Sequence, residues 1–185
     1  LKGSANLTDD DGHGTHVASI IAGTRDGIGM RGVAYDATLY DYKAGNNSGS
    51  LIGLGLDDRD AAVYDQHVTD NIQVSNNSWA YYYFAHNYSE STLRAWRPKT
   101  IAAMRAAQEN GTVFVFAAGN SGATQSLLLG GLPYRITELA NEWLNVVAVG
   151  PDLKETGYTN QCGVTKDFCV TAPGGGDNQS VDGIY

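Results

Sequence analysis

Two continuous apolar runs constrain the fold of this chain more than any other feature of its sequence. "TVFVFAAGN" (112–120) and "EWLNVVAVG" (142–150) are dominated by Val, Phe, Leu and Ala. Neither run shows the strict alternation of polar and apolar residues that marks a strand with one face in water. Such runs are typical of strands covered on both faces in a parallel sheet. We therefore predict that both segments are central, parallel strands.

Helical and extended patterns alternate over the remaining sequence. Pro98 suits the first turn of one predicted helix, and Gly111 lies just beyond the end of the same helix. This alternation predicts an α/β fold with a doubly wound, mainly parallel β-sheet and helices on both faces. No linker or repeat interrupts residues 1–185, so we expect them to be part of a single domain. The other predicted elements are strands at 37–44 and 71–78 and helices at 51–67 and 97–111.

Composition excludes some classes of partner. The chain has 42% hydrophobic and 17% charged residues, which is ordinary for a globular protein. Its net charge of −8 argues against nucleic acid as a partner, because phosphate binding favours a basic surface. No run is long enough to span a membrane, and no signal peptide opens the chain. Leu1 looks like a cleavage point, so secretion is compatible with the sequence.

The segment "DDDGHGTHVASIIAG" (9–23) places a histidine between two glycines at the start of a helical pattern. His13 then lies at a helix N-terminus, where Gly12 and Gly14 permit close approach of another backbone or a substrate. Gly23 ends the predicted helix. A histidine presented in this way is a metal ligand, an acid/base or a packed side chain. The apolar residues that predict a short buried helix are Val17, Ile20 and Ile21.

Two predicted strands deliver polar residues at their carboxyl ends, which is where α/β sheets bind ligands. Asn120 follows "VFAAG", and Ser78 follows "QVSNN". An amide in a tight turn can donate a hydrogen bond to a developing oxyanion. Asn120 is also a residue type that tolerates a left-handed turn, which leaves a purely conformational role open.

The two cysteines, Cys162 and Cys169, lie close together in the sequence. We predict a disulfide between them, which favours an oxidising compartment. Two buried free thiols are the alternative. A zinc site is disfavoured, because no histidine and no second cysteine pair lies nearby.

Taken together, "HGTHVA" and, later in the chain, "AAGNSG" resemble the subtilisin-like serine proteases, or subtilases. "GMRGVAYDATLYDYKA", "NNSWA", "NVVAVG" and "CVTAPGG" extend the resemblance along nearly the whole chain. The "NNSWA" segment and the cysteine pair look most like the protease passengers of Gram-negative autotransporters. The resemblance implies a serine endopeptidase that acts on polypeptides and is secreted or displayed on the bacterial cell surface.

The resemblance also implies roles for individual residues. His13 corresponds to the general base and Asn120 to the oxyanion-hole donor, and both are expected to face one cleft. His16 corresponds to a structural histidine. Two further segments correspond to those that pair with the substrate backbone and wall the pocket before the scissile bond. Their residues are Ser78, Trp79, Ala80, Ala117, Ala118 and Gly119.

The sequence departs from the family in lacking both an Asp-Ser/Thr-Gly and a Gly-Thr-Ser motif. These motifs carry the aspartate and serine of the catalytic triad. We interpret the aspartates at 9–11 as solvated and Ser121 as a turn residue. The chain is therefore expected to be an internal fragment of a subtilase domain, inactive without the remainder of that domain. A non-catalytic binding module or pseudoprotease with a subtilase fold is the alternative.

Metal binding is a separate question. The chemistry expected from the resemblance requires no cofactor. "GTRDGIGMRG" (23–32) resembles the family's calcium-binding loop, with Asp26 as a carboxylate ligand and nearby carbonyls completing the site, or is a plain connector. His13 and His16 could form a metal pair, but no third ligand accompanies them in the sequence.

The segment at 81–98 is predicted to lengthen the loop beyond the substrate-binding edge. There it would shape specificity, contact a partner or form a surface flap.

Overall fold

The structure, a computed structural model, describes residues 2–3, 8–42 and 56–176. They belong to two compact units, unit 1 within Leu1–Leu54 and unit 2 within Gly55–Ile184. The expectation that residues 1–185 are part of one peptidase domain stays a prediction.

Unit 1 contains strand β1 (Lys2–Gly3), helix α1 (His13–Ala22) and strand β2 (Tyr40–Asp41). The two short strands pair in parallel. The helix predicted from the apolar spacing is confirmed, and it ends where the Gly23 N–H donates to the Ser19 carbonyl. The strand predicted at 37–44 is shorter than expected, and residues 43–44 lie outside the described residues.

The predicted burial of α1 is wrong in degree. Its apolar residues are half-buried, and none is fully buried. The segment that follows folds back on the helix, with the Val33 and Ala34 N–H groups donating to the carbonyls of Ile20 and Ile21. A compact unit as small as Leu1–Leu54 has a high ratio of surface to volume and covers less of its apolar surface than a larger domain.

Unit 2 is built on a four-stranded sheet in the order β3-β4-β5-β6, with every neighbouring pair parallel. This confirms the α/β class and the two central strands. The helix predicted at 51–67 is present from Leu56, and residues 51–55 lie outside the described residues. The strands are β3 (Val74–Asn77), β4 (Val113–Ala117), β5 (Trp143–Val149) and β6 (Cys169–Pro173), and the helices are α2 (Leu56–Thr69), α3 (Glu90–Trp96) and α4 (Pro98–Glu109).

The core of unit 2 lies against the central strands. Phe114 and Phe116 on β4 are buried, and both pack against the buried Trp143 of β5 with ring centroids 5.3 and 4.7 Å apart. Val113 and Val115, on the opposite face of β4, are half-buried. Both faces of β4 are thus covered to some extent, as its apolar sequence predicts. Full burial of each large apolar side chain contributes about 1.5–3 kcal/mol.

Helix α4 follows the predicted start and end signals. Pro98 occupies its first turn, and Gly111 follows the C-cap residue Asn110 with a φ of 95°. A left-handed conformation of this kind is available to glycine at little cost, which explains why the helix ends there.

The segment at 81–98 differs from the predicted loop. It contains a 3₁₀ turn at Ala85–Asn87 and helix α3. The Ser89 side chain caps α3 by accepting from the Thr92 N–H, and Leu93 is fully buried. Seven residues are too few for a clear helical period, so only the cap and one apolar anchor marked this helix in the sequence.

Among the helices that the structure describes, none is long and apolar enough to cross a membrane.

Candidate active site

His13 is the first residue of α1, and its side chain is exposed. Gly12 precedes it with a φ of 90°, a left-handed conformation that strongly favours glycine. The His13 N–H donates to the Asp11 carboxylate at 3.3 Å, and the His16 N–H donates to the Gly12 carbonyl at 3.0 Å. The histidine is therefore presented at the solvent-facing start of a helix whose first turn is hydrogen-bonded.

Asp9 is exposed, as predicted, and its carboxylate also organises the turn that precedes His13. Its carboxylate accepts hydrogen bonds from the N–H groups of Asp11, Gly12 and Thr15 and from the Thr15 hydroxyl, at 2.6–3.2 Å. The hydrogen bond from the Thr15 hydroxyl is the largest cause of a pKa well below the ordinary value for Asp9. A negative charge here also suits the N-terminus of α1.

In unit 2, the two strands that precede the candidate substrate-binding segments are neighbours. β3 and β4 pair in parallel, with Asn77 opposite Phe116. The residues that follow them, Ser78 and the turn containing Asn120, consequently leave the sheet at the same edge. The strands that lead to Ser78 and Asn120 are thus parallel neighbours in the sheet.

The Ser78–Trp79–Ala80 segment is half-buried at that edge. The Ser78 hydroxyl accepts a hydrogen bond from the Asn76 side chain at 3.0 Å. The Trp79 ring meets the Tyr81 ring edge-on with centroids 5.7 Å apart, and the Arg59 guanidinium lies 5.9 Å from the Trp79 centroid. Contacts with Asn76, Tyr81 and Arg59 thus hold the segment in place.

A buried ionic cluster that no local sequence pattern indicates lies beneath Trp79. Asp60 on α2, only 2% exposed, accepts hydrogen bonds from Arg59 and from the Tyr81 hydroxyl at 2.8 Å, and pairs with Arg97 at 3.4 Å. Arg97 also lies over the Tyr81 ring, 4.5 Å from its centroid. Burial, with the Asp60 hydrogen bond, raises the pKa of Tyr81 to about 12. We call Arg59, Asp60, Tyr81 and Arg97 the Asp60 cluster.

The turn after β4 runs through Ala118 and Gly119. Ala118 is buried, its N–H donates to the Val146 carbonyl at 2.9 Å, and its carbonyl accepts from the Leu127 N–H at 2.9 Å. Gly119 has a φ of 119°, and a Cβ there would lie 2.5 Å from the Asn160 amide nitrogen. Only glycine fits this position. Ala117, the last residue of β4, is half-buried.

Asn120 follows directly and is exposed. Its side chain makes no hydrogen bond to the rest of the described chain, so its amide is available to a ligand. Ser121 is bound into the turn, because its N–H and hydroxyl both donate to the Asn160 side-chain oxygen at 3.0 and 2.9 Å. The interpretation of Ser121 as a turn residue is consistent with these contacts.

The predicted disulfide is present. The sulfur atoms of Cys162 and Cys169 lie 2.04 Å apart, and the bond spans the 3₁₀ helix Gly163–Phe168 that leads into β6. It therefore anchors the entry to the outermost strand of the described sheet.

The candidate calcium segment carries one carboxylate. The Asp26 side chain accepts from the Ile28 N–H at 2.9 Å, and Gly27 and Gly29 both have positive φ. Within residues 8–42 and 56–176, no three His, Cys, Asp or Glu side chains are placed to share a metal ion. The hypothesis of a His13–His16 metal pair gains no third ligand from the described residues.

The sequence of this chain is similar to that of known proteins. A profile of the subtilase family matches residues 2–184. The chain is 27% identical over 200 residues to an extracellular serine protease of Serratia marcescens, covering 88% of the chain and 18% of that protein. It is 30% identical over 185 residues to alkaline elastase YaB of a Bacillus species, covering 99% and 41%. Serotype-specific antigen 1 of Mannheimia haemolytica is 34% identical over 121 residues, covering 62% and 13%. The chain thus spans less than half the length of each of these relatives.

Solved structures give the same fold. Sphericase matches with a TM-score of 0.66 at 25% identity, covering 93% of this chain and 55% of that one. The patellamide maturation protease PatA matches with a TM-score of 0.71 at 20% identity, covering 95% and 58%. The latter likeness concerns the fold alone.

Proposed function

The chain belongs to the subtilase family, and from this premise we propose that it supplies the general base and the oxyanion donor of a serine endopeptidase. The observation that carries the proposal is an exposed asparagine after a left-handed glycine, at the carboxyl edge of a parallel sheet. Peptide hydrolysis by acyl transfer needs a donor of this kind, because negative charge develops on the carbonyl oxygen in the transition state.

His13 is assigned the role of general base. A serine hydroxyl is a weak nucleophile until an imidazole removes its proton, and the same imidazole later protonates the leaving amine. The His13 ring is exposed at the start of α1, so it is accessible to both the serine hydroxyl and the leaving amine. Residues 1–185 contain neither the Gly-Thr-Ser motif that carries the family's serine nor the Asp-Ser/Thr-Gly motif that carries the aspartate orienting the ring. We therefore assign them to the remainder of the peptidase domain, without which residues 1–185 are inactive.

The substrate is proposed to be a polypeptide that lies between two segments, Ser78–Ala80 and Ala117–Gly119. The backbone N–H and carbonyl of Ala118 already have partners inside the protein, which supports a wall-forming role for this residue. The half-buried Trp79 offers an apolar ring to a substrate side chain. The extracellular serine protease among the relatives, together with the disulfide, supports secretion or display on a bacterial cell surface as in autotransporters.

Kinetics of the full-length protein test this proposal. The Asn120→Ala variant should lose about 100- to 1000-fold in kcat while KM changes little, because the lost hydrogen bond forms mainly in the transition state. Asn110→Ala, which changes an exposed asparagine at the end of α4, is the matched control and should retain kcat. A non-catalytic binding module would hydrolyse no peptide in any of these forms. Unchanged kcat in Asn120→Ala would remove the oxyanion assignment.

Calcium is proposed as a structural ligand of the 23–32 segment and not as a participant in the chemistry. The Asp26 carboxylate and the carbonyls of Thr24, Ile28 and Met30 are hard oxygen ligands of the kind that Ca²⁺ takes. If the ion binds there, chelation should lower the melting temperature of the full-length protein, and Asp26→Asn should reduce that response. A melting temperature insensitive to chelator would contradict the assignment.

A further inference from the structure

Asn160 is a fully buried polar residue that lies outside the segments given a role above. Its side-chain oxygen accepts three hydrogen bonds, from the N–H and hydroxyl of Ser121 and from the Ala123 N–H, at 2.9–3.0 Å. Its amide nitrogen donates to the Ala118 carbonyl at 3.2 Å. Four bonds from one side chain therefore reach both sides of Asn120 and leave Asn120 itself exposed.

The backbone around Asn160 reinforces the same turn. The Asn160 N–H donates to the Gly119 carbonyl, the Gln161 N–H donates to the Ala123 carbonyl, and the Gly122 N–H donates to the Tyr158 carbonyl, each at 2.8 Å. Residues 158–161 thus run along the turn and bond to it at alternating points. We call Ala118–Ala123 the oxyanion turn.

The oxyanion turn lies close against the Asn160 side chain at Gly119. A Cβ on Gly119 would lie 2.5 Å from the Asn160 amide nitrogen, a distance that real Cβ atoms do not show. The backbone just before Asn120 therefore rests directly on the Asn160 side chain. A change in that side chain would remove both the hydrogen bonds and the contact surface that fix the turn.

We propose that Asn160 is a positioning residue that preorganises Asn120 for transition-state stabilisation. The inference rests on the proposed function, since it presumes that Asn120 is the oxyanion donor. A donor stabilises a transition state most when it is already aimed at the place where charge develops, because reorienting it during the reaction costs free energy. Asn160 touches no reacting atom and acts only through the oxyanion turn.

The test is a double-mutant cycle on the full-length protein. Asn160→Ala should lower kcat about 10- to 100-fold, less than the loss of the donor itself, with KM within about twofold of wild type. If Asn160 acts through Asn120, the double variant should be about as slow as Asn120→Ala alone, because no positioned donor is left to disturb. Two independent losses would instead multiply.

Asn145→Ala is the matched control. Asn145 on β5 is also fully buried, and its side chain bonds to the hydroxyls of Ser126 and Thr165 at 2.8 Å, away from the oxyanion turn. Its replacement should lower the melting temperature while kcat of the folded enzyme stays within about twofold. Should Asn160→Ala fail to accumulate as folded protein, Asn160→Ser, which keeps a polar atom in the buried site, takes its place in the cycle.

The outcomes separate the two proposals. Multiplicative losses in the double variant, or a kcat for the Asn160 variant equal to that of the Asn145 control, would overturn the positioning role and leave the oxyanion assignment intact. An unchanged kcat in Asn120→Ala would overturn both. A double variant no slower than Asn120→Ala, beside an unimpaired control, supports the inference.

Discussion

His13 and Asn120 are each preceded by a glycine with positive φ, Gly12 at 90° and Gly119 at 119°. In both cases the glycine redirects the backbone so that the next side chain is exposed where a regular element starts or has just ended. The residues that hold these turns are Asp9 for the first and Asn160 for the second. At the residue scale, each candidate catalytic side chain follows a turn whose backbone is hydrogen-bonded to another side chain, Asp9 or Asn160.

Asp9 provides a test at the residue scale. Replacing it with Ala removes the acceptor for the Gly12 and Thr15 amides, so both should exchange with solvent deuterium about tenfold faster. Asp36→Ala, an exposed aspartate in the same unit, should leave those two rates unchanged. Equal exchange in the Asp9 variant and wild type would show that the carboxylate does not hold the turn.

The sequence predicted His13, Asn120 and the two substrate segments because each belongs to a local motif. Asn160 and Asp9 were missed as organising residues. Asn160 bonds to residues about 40 positions earlier, and nothing local distinguishes it from other asparagines. Asp9 belongs to a run of three aspartates, and nothing local distinguishes it from Asp10 and Asp11. Their roles depend on contacts that only the folded chain supplies.

Among the elements, α2 departs most from an ordinary amphipathic helix. Its sequence "LDDRDAAVYDQHVT" is strongly charged, yet Asp60 and His67 are buried. Asp60 is matched by the cations of the Asp60 cluster, which links α2 to the start of α4 and to the segment after β3. Burying a charge is costly unless it is paired, so the cluster should be sensitive to loss of its single carboxylate.

That sensitivity can be measured by urea unfolding. Asp60→Asn should lower the free energy of unfolding by about 3–5 kcal/mol, because the Arg59 and Arg97 guanidiniums would lose their carboxylate partner in a buried site. Asp65→Asn changes an exposed carboxylate on the same helix and should cost less than about 0.5 kcal/mol. Similar losses in the two variants would refute a special role for the cluster.

The elements that the sequence predicted well are those with strong periodic or continuous patterns. β4 and β5 were predicted from their apolar runs, and α4 from its proline and glycine. β6 was not predicted as a strand, because it is a short outer strand of the described sheet with Val170 exposed and Pro173 at its end. Its pairing with β5 compensates for a weak local pattern.

Across unit 2 as a whole, a buried network of side-chain hydrogen bonds connects α2 to strand β3 of the sheet. The Tyr64 hydroxyl donates to the Asn77 side chain, which in turn donates to Ser75. His67 bonds to the Ser75 hydroxyl and to the Val63 carbonyl, both at 2.8 Å. A carbonyl only accepts, so Nδ1 of His67 carries the proton and Nε2 accepts from Ser75 in the neutral ring.

The buried His67 in this hydrogen-bonded network predicts a pH dependence of the free energy of unfolding. Burial lowers the pKa of His67 below its ordinary value of 6.5, although the hydrogen bond to the Val63 carbonyl and the charge of Asp70 oppose the shift. Above pH 6.5 the ring is neutral in both states and its contribution is intact. As the pH falls below 6.5, the unfolded state binds the proton first, so stability is lost until the folded-state pKa is passed.

The measurement compares wild type with His67→Gln between pH 7.5 and 5. Wild type should lose free energy of unfolding with a slope of up to about 1.4 kcal/mol per pH unit more than the variant. Parallel curves would show that His67 is not held neutral in the folded protein.

At the scale of the complete protein, the central claim is that His13 activates a serine that belongs to the remainder of the peptidase domain and not to residues 1–185. Labelling by a serine-directed fluorophosphonate reports that activation directly. We predict that the full-length protein labels at a Gly-Thr-Ser serine, that residues 1–185 alone do not label, and that His13→Ala abolishes or severely slows labelling, because the hydroxyl loses its base. His86→Ala, which changes a histidine on the 3₁₀ turn Ala85–Asn87, should label like wild type. Wild-type labelling in the His13→Ala variant, or specific labelling of residues 1–185 alone, would contradict the account.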